Sequence, residues 1–425
     1  NGITEDGVYR LTAADLRWMG FNDPSRVKLY GYGGHVQDEV IDADTDFDDL
    51  EEVPLYRDER GLLFFGKGLI SWSATDRRGR ATHRVNTFAK QACYFLTEGD
   101  SPRTIEKAAV SGSPQKNLDY TPANVLYKKE EYAWYQSGRN FYESANYASS
   151  NSRTYQLPVV DPVASAGGSL KVSFTAHTTK DEGDSYVTPT VDGVKLSAMR
   201  ISWSGEYDAA KEGTQTYTLN TLHEGTTGTQ VTLVSTAGVD ARLGYLELCY
   251  RRQLKMRDAF LYIRHTETAP SNLVIDANGR SGLKLWCLGR RGNPMTEYQG
   301  TWSGSTYTVP VSDPTLEYVA VDVNADFPSP SYMGEVSNQN LHATSATDMV
   351  IIIPASGKLY AQAERLAEAQ KANEELKASY AALQGSLDKS IQQNSQGNVN
   401  ISKLVDEINA SNKFIKQLVE AKDKS

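Results

Sequence analysis

Apolar and polar residues alternate along residues 154–158, 170–176 and 230–234. A period of two marks strands with one face in a core and the other in water. Gly183, Gly193, Gly205, Gly228 and Gly244 punctuate this stretch. Tyr245, Leu246, Glu247, Leu248, Cys249 and Tyr250 form its last clear strand. Roughly eight strands at this spacing predict a β-sandwich of jelly-roll type over residues 153–256. Upstream, Val8-Tyr9-Arg10-Leu11 alternates, and Thr12 is placed to N-cap a short helix through Asp15, Leu16 and Met19 that stops at Gly20. Val27-Lys28-Leu29-Tyr30 runs into the turn Gly31-Tyr32-Gly33-Gly34, while residues 62–66 and 92–96 are continuous apolar runs that suit short buried strands. Aromatic residues cluster over 132–142, around Ser137-Gly138-Arg139. Residues 1–152 therefore read as a small α+β or all-β N-terminal domain. Strands over 260–263, 284–288 and 318–322 predict a smaller β domain spanning 257–347.

The pattern changes after that. Val350, Ile351, Ile352 and Ile353 are four β-branched residues in a row, suited to a parallel strand covered on both faces. With the helix predicted from Lys358, residues 348–369 read as the first βα element of an α/β domain. No second strand follows in the sequence, so this strand is expected to lack its parallel neighbours. Residues 370–425 are polar and helical. Leu376, Tyr380, Leu383 and Leu387 form an a/d seam that Ile401, Leu404, Val405, Ile408, Ile415, Leu418 and Val419 resume. Between them, residues 394–400 hold Gly397 and three asparagines, which break or reverse the helix. The tail is expected to self-associate as a coiled coil or to act as a spacer. The fold class is thus mainly β with a C-terminal helical tail.

Composition narrows the function. The 425 residues are 39% hydrophobic and 23% charged, as in a globular chain. A formal charge of −9 argues against nucleic acid as a partner, since phosphate binding needs a basic face. No apolar run is long enough to span a bilayer. The chain begins at Asn1, which fits removal of a leader or a trimmed start. Its 24 tyrosines, many among Ser, Thr and Gly, resemble exported bacterial surface β-proteins.

Candidate chemistry is sparse. Cys93, Cys249 and Cys287 lie far apart in apolar contexts and read as buried structural thiols. Residues 42–49 alternate carboxylates like a calcium loop, but Phe47 stands where the tight turn needs Gly and Val53 where a bidentate Glu belongs. It reads as a solvated acidic loop. His35, His83, His177, His223, His265 and His342 are scattered without metal spacing. No catalytic, cofactor-binding or metal-ligating constellation is expected.

Several pieces, in order, resemble the N-terminal part of gingipain-family cysteine peptidases, specifically the PorU-like sortases of the bacterial type IX secretion system. They are residues 6–12, 29–34, 49–56, 94–97 and 137–140, then Asn338-Gln339-Asn340-Leu341-His342 followed by residues 346–354, and a first helix over 359–367. The resemblance covers roughly residues 1–369. It implies an outer-membrane surface or periplasmic location in a Gram-negative bacterium, with secretion-machinery proteins and secreted cargo as partners. In that family the enzyme removes C-terminal sorting signals and attaches cargo to surface lipopolysaccharide. The family's catalytic His and Cys lie beyond its first catalytic-domain helix. This chain leaves the pattern near Gln370, so the resemblance implies scaffolding and docking without catalysis. Residues 373–384 and 390–405 resemble the coiled-coil stalk of Bacteroidetes OmpA-like envelope proteins. The alternative is a cell-surface adhesin whose sandwich binds glycans or proteins on a coiled-coil stalk, with Trp203, Trp286 and Trp302 as stacking surfaces.

Overall fold

The computed structural model describes residues 2–36, 50–73, 76, 80–135, 140–205, 207–264, 267–289, 295–314, 316–336, 374, 377–386, 389 and 401–422. Asn1–Val336 and Ser337–Ser425 are separate compact units. The chain is mainly β.

The first module of the larger unit is built from short strands. They are β1 (Gly2–Ile3), β2 (Gly7–Thr12), β3 (Val27–Tyr30), β4 (Glu52–Val53), β5 (Tyr56–Asp58), β6 (Gly61–Gly66), β7 (Ile70–Trp72), β8 (His83–Val85), β9 (Ala92–Cys93) and β10 (Phe95–Glu98). β2, β6 and β5 form one antiparallel sheet, and β10, β3 and β4 another. The helix α1 (Ala13–Trp18) starts where the sequence places it. Thr12 Oγ1 accepts from the Asp15 N–H, and the Asp15 carboxylate accepts from the Thr12 N–H, closing a capping box. Gly20, at φ +96°, follows the helix's last turn. Gly61, at φ +130°, has no room for a side chain: a Cβ there would lie 2.2 Å from the Leu11 carbonyl oxygen.

Residues 103–118 carry β11 (Glu106–Lys107) and β12 (Lys116–Leu118). The sandwich follows, with β13 (Tyr120–Lys128), β14 (Ser152–Val159), β15 (Gly168–His177), β16 (Ser185–Val191), β17 (Val194–Lys195), β18 (Met199–Ile201), β19 (Lys211–Leu219), β20 (Gly225–Ser235) and β21 (Asp240–Gln253). One sheet runs β13-β21-β15-β19, the other β14-β20-β16-β17, with β18 paired to β16. The long strands alternate between the two sheets in chain order, which is the jelly-roll connectivity. Leu170, Val172 and Phe174 of β15 meet Tyr155, Leu157, Val231 and Leu233 of the facing sheet in the core.

The third module comprises β22 (Phe260–Ile263), β23 (Ser271–Asp276), β24 (Leu283–Cys287), β25 (Thr296–Tyr298), β26 (Thr301–Ser303), β27 (Thr306–Val311) and β28 (Tyr318–Asp322). Its sheets are β11-β25-β24-β28-β22 and β12-β23-β27-β26. All of β28 is buried because the strand serves two cores. Tyr318 and Ala320 face the module's own second sheet. Val319 and Val321, with Trp286, face Val8, Leu63 and Phe65 of the first module. At that junction Arg10 is buried, donating to Asp58 at 2.7 Å and to the Val323 carbonyl at 3.1 Å.

Sheet membership departs from the regions read off the sequence. β13 lies in the expected N-terminal domain, yet it pairs along its length with β21 of the sandwich. β11 and β12, from the same region, add to the third module. Gly244 is not a turn. It sits inside the fourteen-residue strand β21 as a bulge opposite Ser173 and Phe174. Residues 92–96 form two strands that part at Tyr94.

In the second unit, residues 377–386 are helical and a helix spans Ile401–Lys422. Ile408, Ser411 and Ile415 are its half-buried positions among the described side chains, spaced by three and four as a seam requires. Leu376, Leu387, the break at 394–400, the βα element at 348–369 and the motif pieces at 338–342 and 346–354 lie outside the described residues.

Candidate functional site

The bulge at Gly244 decides what the outer face of the sandwich presents. Before it, Ala241 and Leu243 point into the core; after it, Leu246, Leu248 and Tyr250 do. The extra residue shifts the alternation by one. Tyr245, Glu247 and Cys249 are thereby turned outward, beside Ser169, Lys171 and Ser173 of β15. A Cβ on Gly244 would lie 2.5 Å from the Ser173 hydroxyl, so the close approach needs glycine.

The β7–β8 hairpin of the first module crosses this face. Glu247 Oε2 accepts from the His83 backbone N–H at 3.0 Å and from its Nδ1 at 2.7 Å. Both side chains are almost fully buried, at 7% and 3% exposure. The His83 ring meets Tyr245 edge-on at 4.5 Å. Cys249 Sγ donates to the Ala81 carbonyl at 3.6 Å. Two cavities flank the hairpin. One, of about 270 Å³, is lined by Arg80, Lys171, Thr216, Glu247 and Cys249 among others. The other, of about 180 Å³, is lined by His83, Lys128, Tyr142, Ser173, Glu212 and Tyr245 among others.

A histidine oriented by a carboxylate is half of a nucleophilic site. The other half is not assembled here. Burial pushes the Cys249 thiol up, away from the thiolate a nucleophile needs. Ser173 Oγ donates to Glu212 at 2.7 Å, and Tyr142 OH donates to the same carboxylate at 3.3 Å. Burial, with Glu212 adding to it, pushes the Tyr142 phenol up to about 12, so it stays a neutral donor. The His83–Glu247 pair thus acts as a latch holding the hairpin on the sheet.

The remaining candidates are dispersed. His35 faces Asp6 at 3.3 Å, His177 Nδ1 bonds the Ala209 carbonyl at 2.7 Å, and His223 pairs with Asp192 at 3.3 Å. Among the described residues no three His, Cys, Asp or Glu side chains are placed to hold a metal. His265, His342, the acidic loop at 42–49 and Ser137-Gly138-Arg139 lie outside the described residues. Cys249 and Cys287 are buried thiols outside any disulfide, as expected. Cys93 is not: it is exposed on the two-residue strand β9, with its sulfur 3.8 Å from that of Met333. Trp286 is fully buried in the core shared by the first and third modules, whereas Trp203 and Trp302 are 39% and 46% exposed. In the aromatic cluster, the Arg242 guanidinium stacks 3.6 Å from the Tyr132 ring. The latch itself was missed by sequence reading, since its partners lie 164 positions apart. No helix among the described residues is long and apolar enough to cross a membrane.

The chain matches no protein-family model and no curated protein. Among solved structures, it is similar to dimeric latent PorU from Porphyromonas gingivalis, with a TM-score of 0.71 and 23% identity. That match covers 81% of this chain and 33% of the other, so the chain spans about a third of that solved protein. The likeness is one of fold.

Proposed function

We propose that this chain is the non-catalytic N-terminal region of a gingipain-like cysteine endopeptidase of the type IX secretion sortase kind. The carrying observation is the fold likeness over 81% of the chain to one third of PorU. The ordered sequence pieces support it. In this reading, residues 1–152, 153–256 and 257–347 are β domains that position a peptidase domain and dock secretion-machinery proteins. Residues 348–369 begin the catalytic α/β domain, and 370–425 form a coiled coil. The intact enzyme would cleave cargo sorting signals and attach cargo to lipopolysaccharide at the outer-membrane surface or in the periplasm.

The test is a chimera in which residues 1–336 replace the matching third of a sortase. Cargo processing is expected to persist. A folded chimera that processes nothing overturns the scaffolding role. Cysteine-dependent cleavage of a sorting signal by this chain alone overturns the non-catalytic assignment. The coiled-coil assignment is tested by sedimentation of a peptide spanning residues 370–425, expected to be oligomeric.

A second reading, a glycan-binding adhesin, is favoured by the exposed rings of Trp203 and Trp302; Trp286, being buried, drops out of it. Glycan-array binding that disappears with Trp302→Ala would support it, and an array without signal would remove it.

A further inference from the structure

Residues 103–118 leave the first module and run along open edges of both sheets of the third. Glu106 and Lys107 lie parallel to Thr296 and Glu297 of β25. Lys116, Asn117 and Leu118 lie parallel to Ser271, Asn272 and Leu273 of β23. The other strand pairings among the described residues are antiparallel. Parallel ladders are slightly less stable per residue, and these two strands are two and three residues long.

The segment is also held lightly. Glu106, Lys107, Lys116 and Asn117 are exposed, and Leu118 is the one strand side chain buried in the core. Lys116 reaches Glu267 at 2.6 Å, and the Asn272 amide donates to Asn117 at 2.9 Å, both at the surface. Segments with few buried contacts and solvent-exposed bonds open at far lower free energy than a core. Once open, β23 presents the N–H and C=O groups that β12 had paired along residues 271–273, while residues 254–256 still cover Asp276 at the strand's far end.

We propose that the β23 edge is a strand-addition site for an extended peptide of a partner protein, which enters in parallel register by displacing residues 116–118. Main-chain bonds supply the attachment, as in other strand-addition complexes. One apolar side chain fills the place of Leu118. Glu267 selects a cation two residues before it, and the Asn272 amide selects a polar residue between. The occupant is therefore an extended segment of the form cation–polar–Leu, which the chain's own residues imitate.

The probe is a fluorescein-labelled peptide with the sequence of residues 113–120, Ser-Pro-Gln-Lys-Asn-Leu-Asp-Tyr, titrated into the full chain by anisotropy. Saturable binding is expected, at least tenfold tighter to Leu118→Ser, whose own strand competes less. The double variant Asn117→Cys/Asn272→Cys, joining two directly paired positions, is expected to lose binding when oxidised and regain it on reduction. A peptide with Asp in place of Leu is expected not to bind. The proposal is overturned if no saturable binding occurs, or if the oxidised and reduced double variant bind alike. If Leu118→Ser fails to fold, the oxidised and reduced comparison still decides, because it uses one folded protein.

Discussion

Strand β14 of the sandwich exposes every second residue, whereas β6 of the first module exposes none of its six. β14 belongs to one core: Tyr155, Leu157 and Val159 enter it, and Thr154 and Gln156 face water. β6 belongs to two. Leu62 and Phe64 fill the first module's own core, while Leu63 and Phe65 meet Trp286, Val319 and Val321 of the third. A strand buried on both faces joins its neighbours into one body. The difference teaches that the first and third modules, far apart in sequence, form one structural body, while the sandwich closes its core largely by itself.

Paired truncations put the largest strain on that comparison. Trp286→Ala and Phe174→Ala each empty a fully buried aromatic site and are each expected to cost about 3–5 kcal/mol. Trp286→Ala should speed amide exchange in β6 and β28 together and leave β15 protected. Phe174→Ala should do the reverse. Hydrogen exchange that loosens β28 while β6 stays protected would refute the shared core.

A somewhat smaller effect tests one of the buried or part-buried polar ties between the two bodies, which also include Thr121 with the Arg264 backbone and Arg257 with Asp161. Glu247→Ala removes the acceptor of two buried bonds from His83 and is expected to cost about 3 kcal/mol. Exchange should accelerate in β7 and β8 with the sandwich core unchanged. Equal exchange in variant and parent would mean the latch holds nothing. Smaller again, Thr12→Ala deletes the α1 cap for about 1 kcal/mol, read as a lower denaturation midpoint of the joined body.

The smallest change has the opposite sign. Tyr217 is buried and its hydroxyl has no hydrogen-bond partner among the described residues. Tyr217→Phe should stabilise the sandwich by a few tenths to about 1 kcal/mol. Burial also raises the Tyr217 phenol from 10.0 to about 12. The fold therefore favours the protonated form. That contribution is complete below pH 10 and is lost as pH rises through about 12. Alkaline unfolding monitored over this window should be shallower in Tyr217→Phe; identical limbs would remove Tyr217 from the cause.

What could be read in the sequence follows the same division. Alternation is a local signal, so β14, β15 and the jelly-roll class were visible, as were the Thr12 cap and the strands at 260–263 and 318–322. Runs such as Leu62–Phe65 announced burial on both faces but not what covered the second face. Gly244 misled, because a glycine in a bulge and a glycine in a turn look alike without the partner strand. β11 and β12 are too short to carry a period. The latch needed a fold to bring residues 83 and 247 together.

The shared core also sets a timetable for the newborn chain. Leu63 and Phe65 wait for Val319 and Val321, some 250 positions later. At about 5–20 residues per second, that interval is roughly 13 to 50 seconds. Throughout it the first module carries an uncovered apolar sheet, while the sandwich, encoded in between, already has its strands to hand. A ribosome-bound chain arrested near residue 256 should therefore be a strong client for holding chaperones, and one arrested well beyond residue 323 a weak one.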